Sequence, residues 1–201
     1  MRRPFLLLAT ALLLSMFTLG VSAMSLDDIL EAMAQSQVMR DPYMKFEQRV
    51  ELRAALVLRW AFVNQVTRNG DRIEMEVGTG APSFMPDEMA SDLIDIQGAL
   101  ENFDLVLIGT EELDDGTVRY IVDGTRKPSL SSGAESGRLW IQPDPWVVTR
   151  AELRYSWGRL EVDQWYRLEN GRWVLDRQEA VARPLGARLV VEYQNYQFGD
   201  A

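Results

Sequence analysis

The sequence contains neither histidine nor cysteine among its 201 residues. Without cysteine the chain can form no disulfide and offers no thiolate nucleophile or Cys-ligated zinc site. Without histidine it has no Ser-His-Asp triad, no histidine metal ligand and no imidazole base. Any catalysis would have to use carboxylates, lysine, tyrosine or serine. We therefore expect no metal and no other cofactor.

Basic residues are few compared with acidic ones. The chain has 21 Lys and Arg against 30 Asp and Glu, a formal net charge of -9. A nucleic-acid partner requires a cationic surface, so this balance argues against one. Apolar residues make up 47% of the chain, with six Trp among them, which predicts folding around a hydrophobic core.

A long hydrophobic run stands at the N-terminus. Arg2 and Arg3 precede an almost unbroken apolar stretch from 5 to 21, and Val21-Ser22-Ala23 has the small residues that signal peptidase prefers. This pattern predicts a secretory signal over residues 1–23, cleaved after Ala23, and a periplasmic location. An uncleaved anchor is the alternative because the run approaches the length of a membrane span. The leucine-rich run favours the general secretory route over a twin-arginine route.

Residues 24–201 have the length of one domain and contain no linker that would divide it. Ser25 followed by Asp28 is a helix-capping pattern, and it predicts a first helix that runs to about Gln37. A loop is expected from Gly78 to Pro86. A second helix should begin at Pro86 and carry an apolar stripe as far as Leu100.

From Met44 onward, apolar residues alternate with charged residues, which is the pattern of a strand with one buried face. The alternation continues to Phe62, longer than a usual strand, and predicts a turn near Arg53 to Ala55. Asn69-Gly70 indicates a hairpin. Seven further strands are expected over 104–109, 117–123, 138–142, 146–155, 159–168, 172–182 and 187–198. The prediction is a mostly antiparallel sheet of about ten strands that curls into a barrel, a half-barrel or a sandwich.

Several pairs of carboxylates could in principle serve as a hydrolase acid and base. The pairs are Glu111 with Glu112, Asp114 with Asp115, and Glu161 with Asp163. None has a context that distinguishes it from a solvated surface. Glu161 and Asp163 lie on the charged side of their strand, where ion pairing is expected.

The aromatic and methionine residues are more informative about binding. Trp60 and Phe62 lie on the apolar side of their strand, where they either fill the core or contact a ligand. Trp165 lies on the charged side of its strand, either exposed as a contact surface or covered by another segment. Met75, with Met85 and Met89, could supply adaptable packing around an acyl ligand or simply around the core.

Two stretches resemble the LolA-like family of periplasmic lipoprotein carriers and outer-membrane lipoprotein-sorting proteins. Residues 137–152 (GRLWIQPDPWVVTRAE) are similar to its pattern of a strand, a short Pro/Asp turn and a strand reading apolar-x-Arg-Ala-Glu. Residues 191–196 (VEYQNY) resemble its closing strand. The layout of signal, first helix, long meander and mid-chain helix is similar over most of the chain.

This resemblance implies an α+β fold, mostly antiparallel β: a curved half-open β-barrel whose concave face is covered by helices. It further implies an apolar cavity for lipid acyl chains, and the inward residues expected to line it are Leu58, Trp60, Phe62, Met75 and Val77. In the best-known carriers an arginine near the early strands latches the lid. Here Arg49, Arg53 and Arg59 all stand in that region.

The resemblance also implies a function without catalysis. We expect a monomeric periplasmic carrier or chaperone that binds the acyl chains of lipoproteins, or a similar lipid, for transfer toward the outer membrane. Envelope membrane proteins would be its further partners. The alternative is a periplasmic interaction or lipoprotein-sensing module without carrier activity. A carboxylate hydrolase is the third hypothesis, and it requires two acids that meet in a cleft.

Overall fold

A computed structural model describes residues 24–36, 38–39, 41–54, 58–70, 72–80, 96–130 and 133–199. The predicted signal segment, the Met85 and Met89 pair and most of the predicted second helix lie outside these residues. The described helices are α1 (Leu26–Gln35) and the short α2 (Ile96–Ala99), which continues as a 3-10 turn (Leu100–Asn102). The strands are β1 (Tyr43–Ala54), β2 (Leu58–Asn69), β3 (Arg72–Glu76), β4 (Phe103–Glu112), β5 (Val118–Arg126), β6 (Ser136–Gln142), β7 (Val147–Tyr155), β8 (Gly158–Glu169), β9 (Arg172–Arg183) and β10 (Ala187–Phe198).

The ten strands form one antiparallel sheet in the order β3-β2-β1-β10-β9-β8-β7-β6-β5-β4. Its two edges, β3 and β4, do not pair with each other, so the sheet of the described residues is open. The predicted ten-stranded, mostly antiparallel sheet is confirmed. The strands predicted from 104 onward all occur, with ends that differ by up to three residues.

Helix α1 begins at the predicted cap. Ser25 Oγ accepts a hydrogen bond from the Asp28 backbone N–H at 3.2 Å, and the Asp28 carboxylate accepts from the Ser25 backbone N–H at 3.0 Å. This reciprocal pair satisfies two backbone donors that the first turn would otherwise leave unpaired. The helix ends at Gln35, two residues before the expected end. Ser36 closes it by donating from its hydroxyl to the Met33 carbonyl at 2.8 Å.

The alternation of buried and exposed residues in β1 continues into β2, and even-numbered positions face the core in both strands. Ala54 pairs with Leu58, so a connection of three residues joins the strands and even-numbered residues face the same side in both. Phe46 and Val50 in β1 and Phe62 and Val66 in β2 are all buried on that side. This is the reason that one alternation spans two strands in the sequence.

In strand β10 the buried positions shift by one residue at Asn195, from odd-numbered to even-numbered residues. Tyr193 and Tyr196 are both buried although they are three residues apart. Asn195 lies between them with φ of 58°, in the left-handed region that Asn tolerates better than most residues. The bulge turns Tyr196 toward the core, where its hydroxyl donates to the Leu175 carbonyl at 2.8 Å.

One face of the sheet, called here the inner face, carries the hydrophobic core. Phe62 of β2 and Val122 of β5 stand far apart in strand order yet belong to the same core cluster, together with Ile29 and Met33 of α1. Side chains so distant along a sheet share a core when the sheet curls around it. The curled sheet with α1 on its inner face agrees with the expected architecture.

The outer face carries ion pairs both within a strand and between neighbouring strands. Arg159 Nη2 lies 2.6 Å from a Glu161 carboxylate oxygen, and Arg183 Nε approaches the same oxygen from β9 at 3.1 Å. Arg177 and Arg188 share Glu179 in the same way. Each exposed pair contributes at most about 1 kcal/mol, but together they keep the outer face wetted and fixed in register.

We expect the ion pair between Asp123 and Arg138 to make stability depend on acid pH. Arg138 donates to the Asp123 carboxylate at 2.7 and 2.9 Å, and these hydrogen bonds lower the pKa of Asp123. A carboxylate with a lowered pKa stabilises the fold above about pH 4 and loses that contribution as the pH falls further. Asp123→Asn should therefore lower Tm slightly at neutral pH and weaken its decline in acid, as followed by circular dichroism.

The control for this prediction is Asp104→Asn. Asp104 is exposed on β4 and forms no ion pair with another described residue. Its Tm curve should run parallel to that of the unmodified protein through the acid range. An equal flattening in both variants would contradict a specific role for the Asp123–Arg138 pair.

Candidate functional site

Two adjacent rows of apolar residues cross the inner face of the sheet. In each row, successive residues are direct pairing partners on neighbouring strands. The first row runs from β4 to β10 through Leu105, Gly124, Gly137, Leu153, Leu160, Ala182 and Ala187. The second row runs from β4 to β2 through Leu107, Val122, Leu139, Ala151, Val162, Ala180, Leu189, Leu52 and Trp60. Together they form an apolar trough.

Small side chains are frequent on the floor of this trough. Ala151, Ala180 and Ala182 are all buried in the strands β7 and β9. Alanine on a strand leaves more room above the sheet than Val, Leu or Ile does, and the room is taken by whatever covers the sheet. The described covering elements are α1, which places Ile29 and Met33 in the core, and α2 with its 3-10 turn, which adds Ile96 and Leu100.

The chain that follows α1 is pinned at Met39. Its backbone N–H donates to the Trp173 carbonyl at 3.3 Å, and its carbonyl accepts from Arg68 Nη1 at 2.7 Å. Just before it, Ser36 Oγ donates to the Trp146 carbonyl at 3.2 Å. Helix α1 is thus tied to the sheet at its C-terminal end, while Ile29 and Met33 hold its body by packing.

Beside the trough, on the same inner face, buried polar side chains from five strands form a hydrogen-bonded chain. Asn64 Nδ2 donates to Gln48 Oε1 at 3.3 Å, and Gln48 Nε2 donates to the Tyr193 hydroxyl at 3.5 Å. The Tyr193 hydroxyl donates to Gln178 Oε1, and Gln178 Nε2 donates to Gln164 Oε1 at 2.8 Å. We call these five residues the polar chain.

Both ends of the polar chain terminate on backbone groups. Asn64 Oδ1 accepts from the Gly78 backbone N–H at 3.2 Å, and Gln164 Nε2 donates to the Val148 carbonyl at 3.1 Å. Val148 lies beyond the last β7–β8 backbone pair, Arg150 with Asp163, so side chains take over where the ladder stops. All donors therefore point the same way, from β2 toward β7, an arrangement that strengthens each bond.

Tyr193 stays neutral within this chain. Burial raises the pKa of its hydroxyl, against a smaller lowering by the hydrogen bond from Gln48. A neutral hydroxyl can accept from Gln48 and donate to Gln178 at once. A neutral tyrosine at the centre therefore completes the hydrogen bonds of the polar chain.

A small cavity lies at the β4–β7 end of the trough, beneath α2 and the turn that follows it. Its volume is about 20 Å³ and its lining is apolar, including Leu100, Phe103, Leu105 and Leu153. That volume holds about one water-sized or methyl-sized group. In the middle of the trough, Ala151, Val162 and Ala180 are almost completely buried.

The five residues expected to line a ligand cavity lie at the opposite end of the trough. Phe62 is buried, and Trp60 and Met75 are partly buried against the core. Leu58 shares their face but is 49% exposed at the end of β2, and Val77 is 56% exposed beyond β3. None of the five lines the small cavity, and their contact with a ligand stays a prediction.

Sequence reasoning missed the polar chain and two inward glycines. Gln48, Asn64 and Gln164 each occupy an apolar-side position of their strand, and this break in the alternation is the signal that could have found them. Gly124 and Gly137 likewise take inward positions in consecutive strands. A single polar residue or glycine on the buried side of a strand does not by itself indicate a site, because the rest of the alternation is unchanged.

The other predicted features lie on the outer surface. Arg49, Arg53 and Arg59 are exposed on the side away from α1, so none of them latches α1. Trp165 is 46% exposed, so of the two expected positions it takes the exposed one and is not covered by another described segment. Glu161 forms the expected cross-strand ion pair. Among the described residues no carboxylate is buried, and the acids that share a surface groove, such as Glu51 with Glu192, lie among arginines.

The described residues contain neither a cluster of metal ligands nor a helix suited to cross a membrane. No group of three or more acidic side chains is placed to hold a metal ion within the ranges given above. No helix in that part of the chain has the length and apolar character needed to cross a membrane.

The fold is similar to three solved structures. A LolA superfamily protein from Nitrosomonas europaea aligns over 89% of this chain and 96% of its own, with 14% identity and a TM-score of 0.64. A DUF1329 family protein from Desulfovibrio piger aligns over 85% and 90%, with 14% identity and a TM-score of 0.62. A candidate outer membrane lipoprotein-sorting protein domain from Vibrio parahaemolyticus aligns over 86% and 92%, with 10% identity and a TM-score of 0.60.

These similarities establish a LolA-like fold for the chain, as the sequence resemblance predicted. No family model matches the sequence, and neither does any curated protein. At identities of 10 to 14%, the comparison concerns the fold alone.

Removing the hydroxyl at the centre of the polar chain should destabilise the protein. Tyr193→Phe takes a donor from Gln178 and an acceptor from Gln48, and both amides are buried. Leaving buried polar groups short of partners costs about 1–3 kcal/mol. We expect a loss of that size in the free energy of unfolding, measured by urea denaturation.

Tyr120→Phe is the matched control because the Tyr120 hydroxyl makes no hydrogen bond with another described residue, although its ring stacks on Trp146. It should cost clearly less than Tyr193→Phe. Equal losses in the two variants would show that the polar chain contributes no more than an ordinary tyrosine hydroxyl.

Proposed function

We propose that this chain is a periplasmic carrier or chaperone that binds the acyl chains of lipoproteins, or of a similar lipid, in its apolar trough for transfer toward the outer membrane. The observation that carries the proposal is the second row, which is apolar at all nine positions from β4 to β2. Residues 1–23 act in this proposal as the export signal of a single domain, 24–201.

Acyl chains require such a surface in order to travel through water. Each CH2 group removed from water contributes about 0.8 kcal/mol, so a soluble carrier has to offer a dry and adaptable surface of matching length. The trough supplies an apolar surface of that kind.

The described cavity of about 20 Å³ holds one methyl-sized group, so a whole acyl chain needs more room than this hollow alone offers. Helix α1 is built to move as the lid. Its C-terminal end is pinned through Ser36 and Met39, whereas Ile29 and Met33 can be exchanged for apolar groups of a ligand.

The LolA superfamily and lipoprotein-sorting names of the structural neighbours support this proposal over other uses of an apolar trough. The proposed role is one of binding without catalysis.

The direct experiment is to purify the protein gently from the periplasm and to analyse its organic extract by mass spectrometry. We expect stoichiometric acyl lipid or lipoprotein, and uptake of a fluorescent fatty acid by the delipidated protein. Empty protein that also takes up no fatty acid would overturn the carrier proposal. The alternative would then be an interaction module, for which the exposed Trp165 is the supporting observation.

A pair of variants on one strand separates the trough from the outer face. Leu58 is 49% exposed on the inner face of β2, and Val63 is 42% exposed on its outer face. Both positions accept a charged residue without burying it, so both variants should fold. Leu58→Glu should weaken fatty-acid binding at least tenfold, the effect of losing contact with about two CH2 groups, whereas Val63→Glu should leave it unchanged.

Binding is measured by displacement of a fluorescent fatty acid, with Tm as the check on folding. If both variants bind as the unmodified protein does, the β2 end of the trough takes no part in ligand contact. If both lose binding equally, the effect is one of net charge and not of the inner face.

A further inference from the structure

Two glycines lie side by side on the inner face at one end of the trough. Gly124 of β5 pairs directly with Gly137 of β6, and Leu105 and Leu153 flank the pair on β4 and β7. Two adjacent positions of the first row therefore carry no side chain. The cavity of about 20 Å³ lies above them.

The backbone does not require glycine at either position. Neither residue has φ in the left-handed region, so each could be replaced by another residue without backbone strain. Glycine inside a strand costs about 0.5–1 kcal/mol relative to alanine and offers no side chain to pack. The two glycines are explained by the space they leave and not by the conformation they adopt.

That space is closely bounded. A Cβ atom on Gly124 would lie 3.0 Å from Leu105 Cδ2 and 3.1 Å from Phe103 Cβ. A Cβ atom on Gly137 would lie 3.0 Å from Leu153 Cδ2. A methyl group at either position thus enters the cavity region and presses on the side chains that form its walls.

The cavity suits an apolar group better than water. Its lining side chains carry no polar group that could hold a water molecule by the two to four hydrogen bonds it needs. Six of the lining residues are Ile96, Leu100, Phe103, Leu105, Leu139 and Leu153. An apolar hollow of this size is filled well by a methyl group at the end of a chain.

We propose that the hollow above Gly124 and Gly137 receives the methyl end of an acyl chain and so sets the longest chain that the trough accepts. The inference rests on the proposed function and adds the chain-length determinant to it. The ligand then runs from the hollow along the apolar rows toward Trp60 and Leu58, where the exposed rim leaves its polar head in water.

The test compares Gly124→Ala with Gly109→Ala. Both replace a glycine inside a strand, but a Cβ atom on Gly109 meets no atom within 4 Å. Dissociation constants are measured for unlabelled laurate, myristate, palmitate and stearate by displacement of a fluorescent fatty acid. Gly124→Ala should weaken the longest acceptable acid by about fourfold for each CH2 group that no longer fits, and leave shorter acids unchanged.

Gly137→Ala gives the same test from the other side of the hollow and serves if Gly124→Ala does not fold. A uniform loss over all four acids, or a profile equal to that of Gly109→Ala, would overturn the hollow as a chain-length determinant while leaving the carrier function intact. Failure of the unmodified protein to bind any of the acids would instead overturn the proposed function and this inference together.

Discussion

A sheet of ten strands that buries one face has to curl, because the described helices are too short to cover that face as a flat layer. The curl brings residues from β2 and β5 into one core and leaves the other face to water. The charge pattern follows from the same constraint. Arginine and carboxylate residues such as Arg159, Glu161 and Arg183 alternate with the core residues and pair across the outer face.

The polar chain helps to fix the register in which neighbouring strands pair. A strand that slipped by two residues would keep its apolar face inward, so hydrophobic burial alone does not exclude the slip. It would, however, separate Gln48 from Asn64 and Gln178 from Gln164, which pair directly in the sheet. Buried amides that lose their partners are costly, so the polar chain favours one register across the five strands that carry it.

The strands and the first helix could be predicted from the sequence because alternation and capping are local properties. The fold family came instead from the resemblance of residues 137–152 and 191–196 to known proteins. The turn between β1 and β2 preserves parity, which is why Met44 and Phe62 could be placed on one face. The bulge at Asn195 could not be predicted in this way, since it depends on pairing with β1. The candidate site was predicted least well: its β2 end was named, whereas the Gly124–Gly137 end depends on strands brought together by the fold.

In the proposed function, the empty carrier needs its apolar trough to be covered. If the apolar rows stayed open to water, each exposed 100 Å² would cost roughly 2.5 kcal/mol, and the surface would favour aggregation. Covering them with Ile29 and Met33 removes this cost but makes a ligand compete with the lid. The net affinity is then the gain from acyl burial minus the cost of opening. In the proposed function, this difference determines how easily an acceptor could take the lipid from the trough.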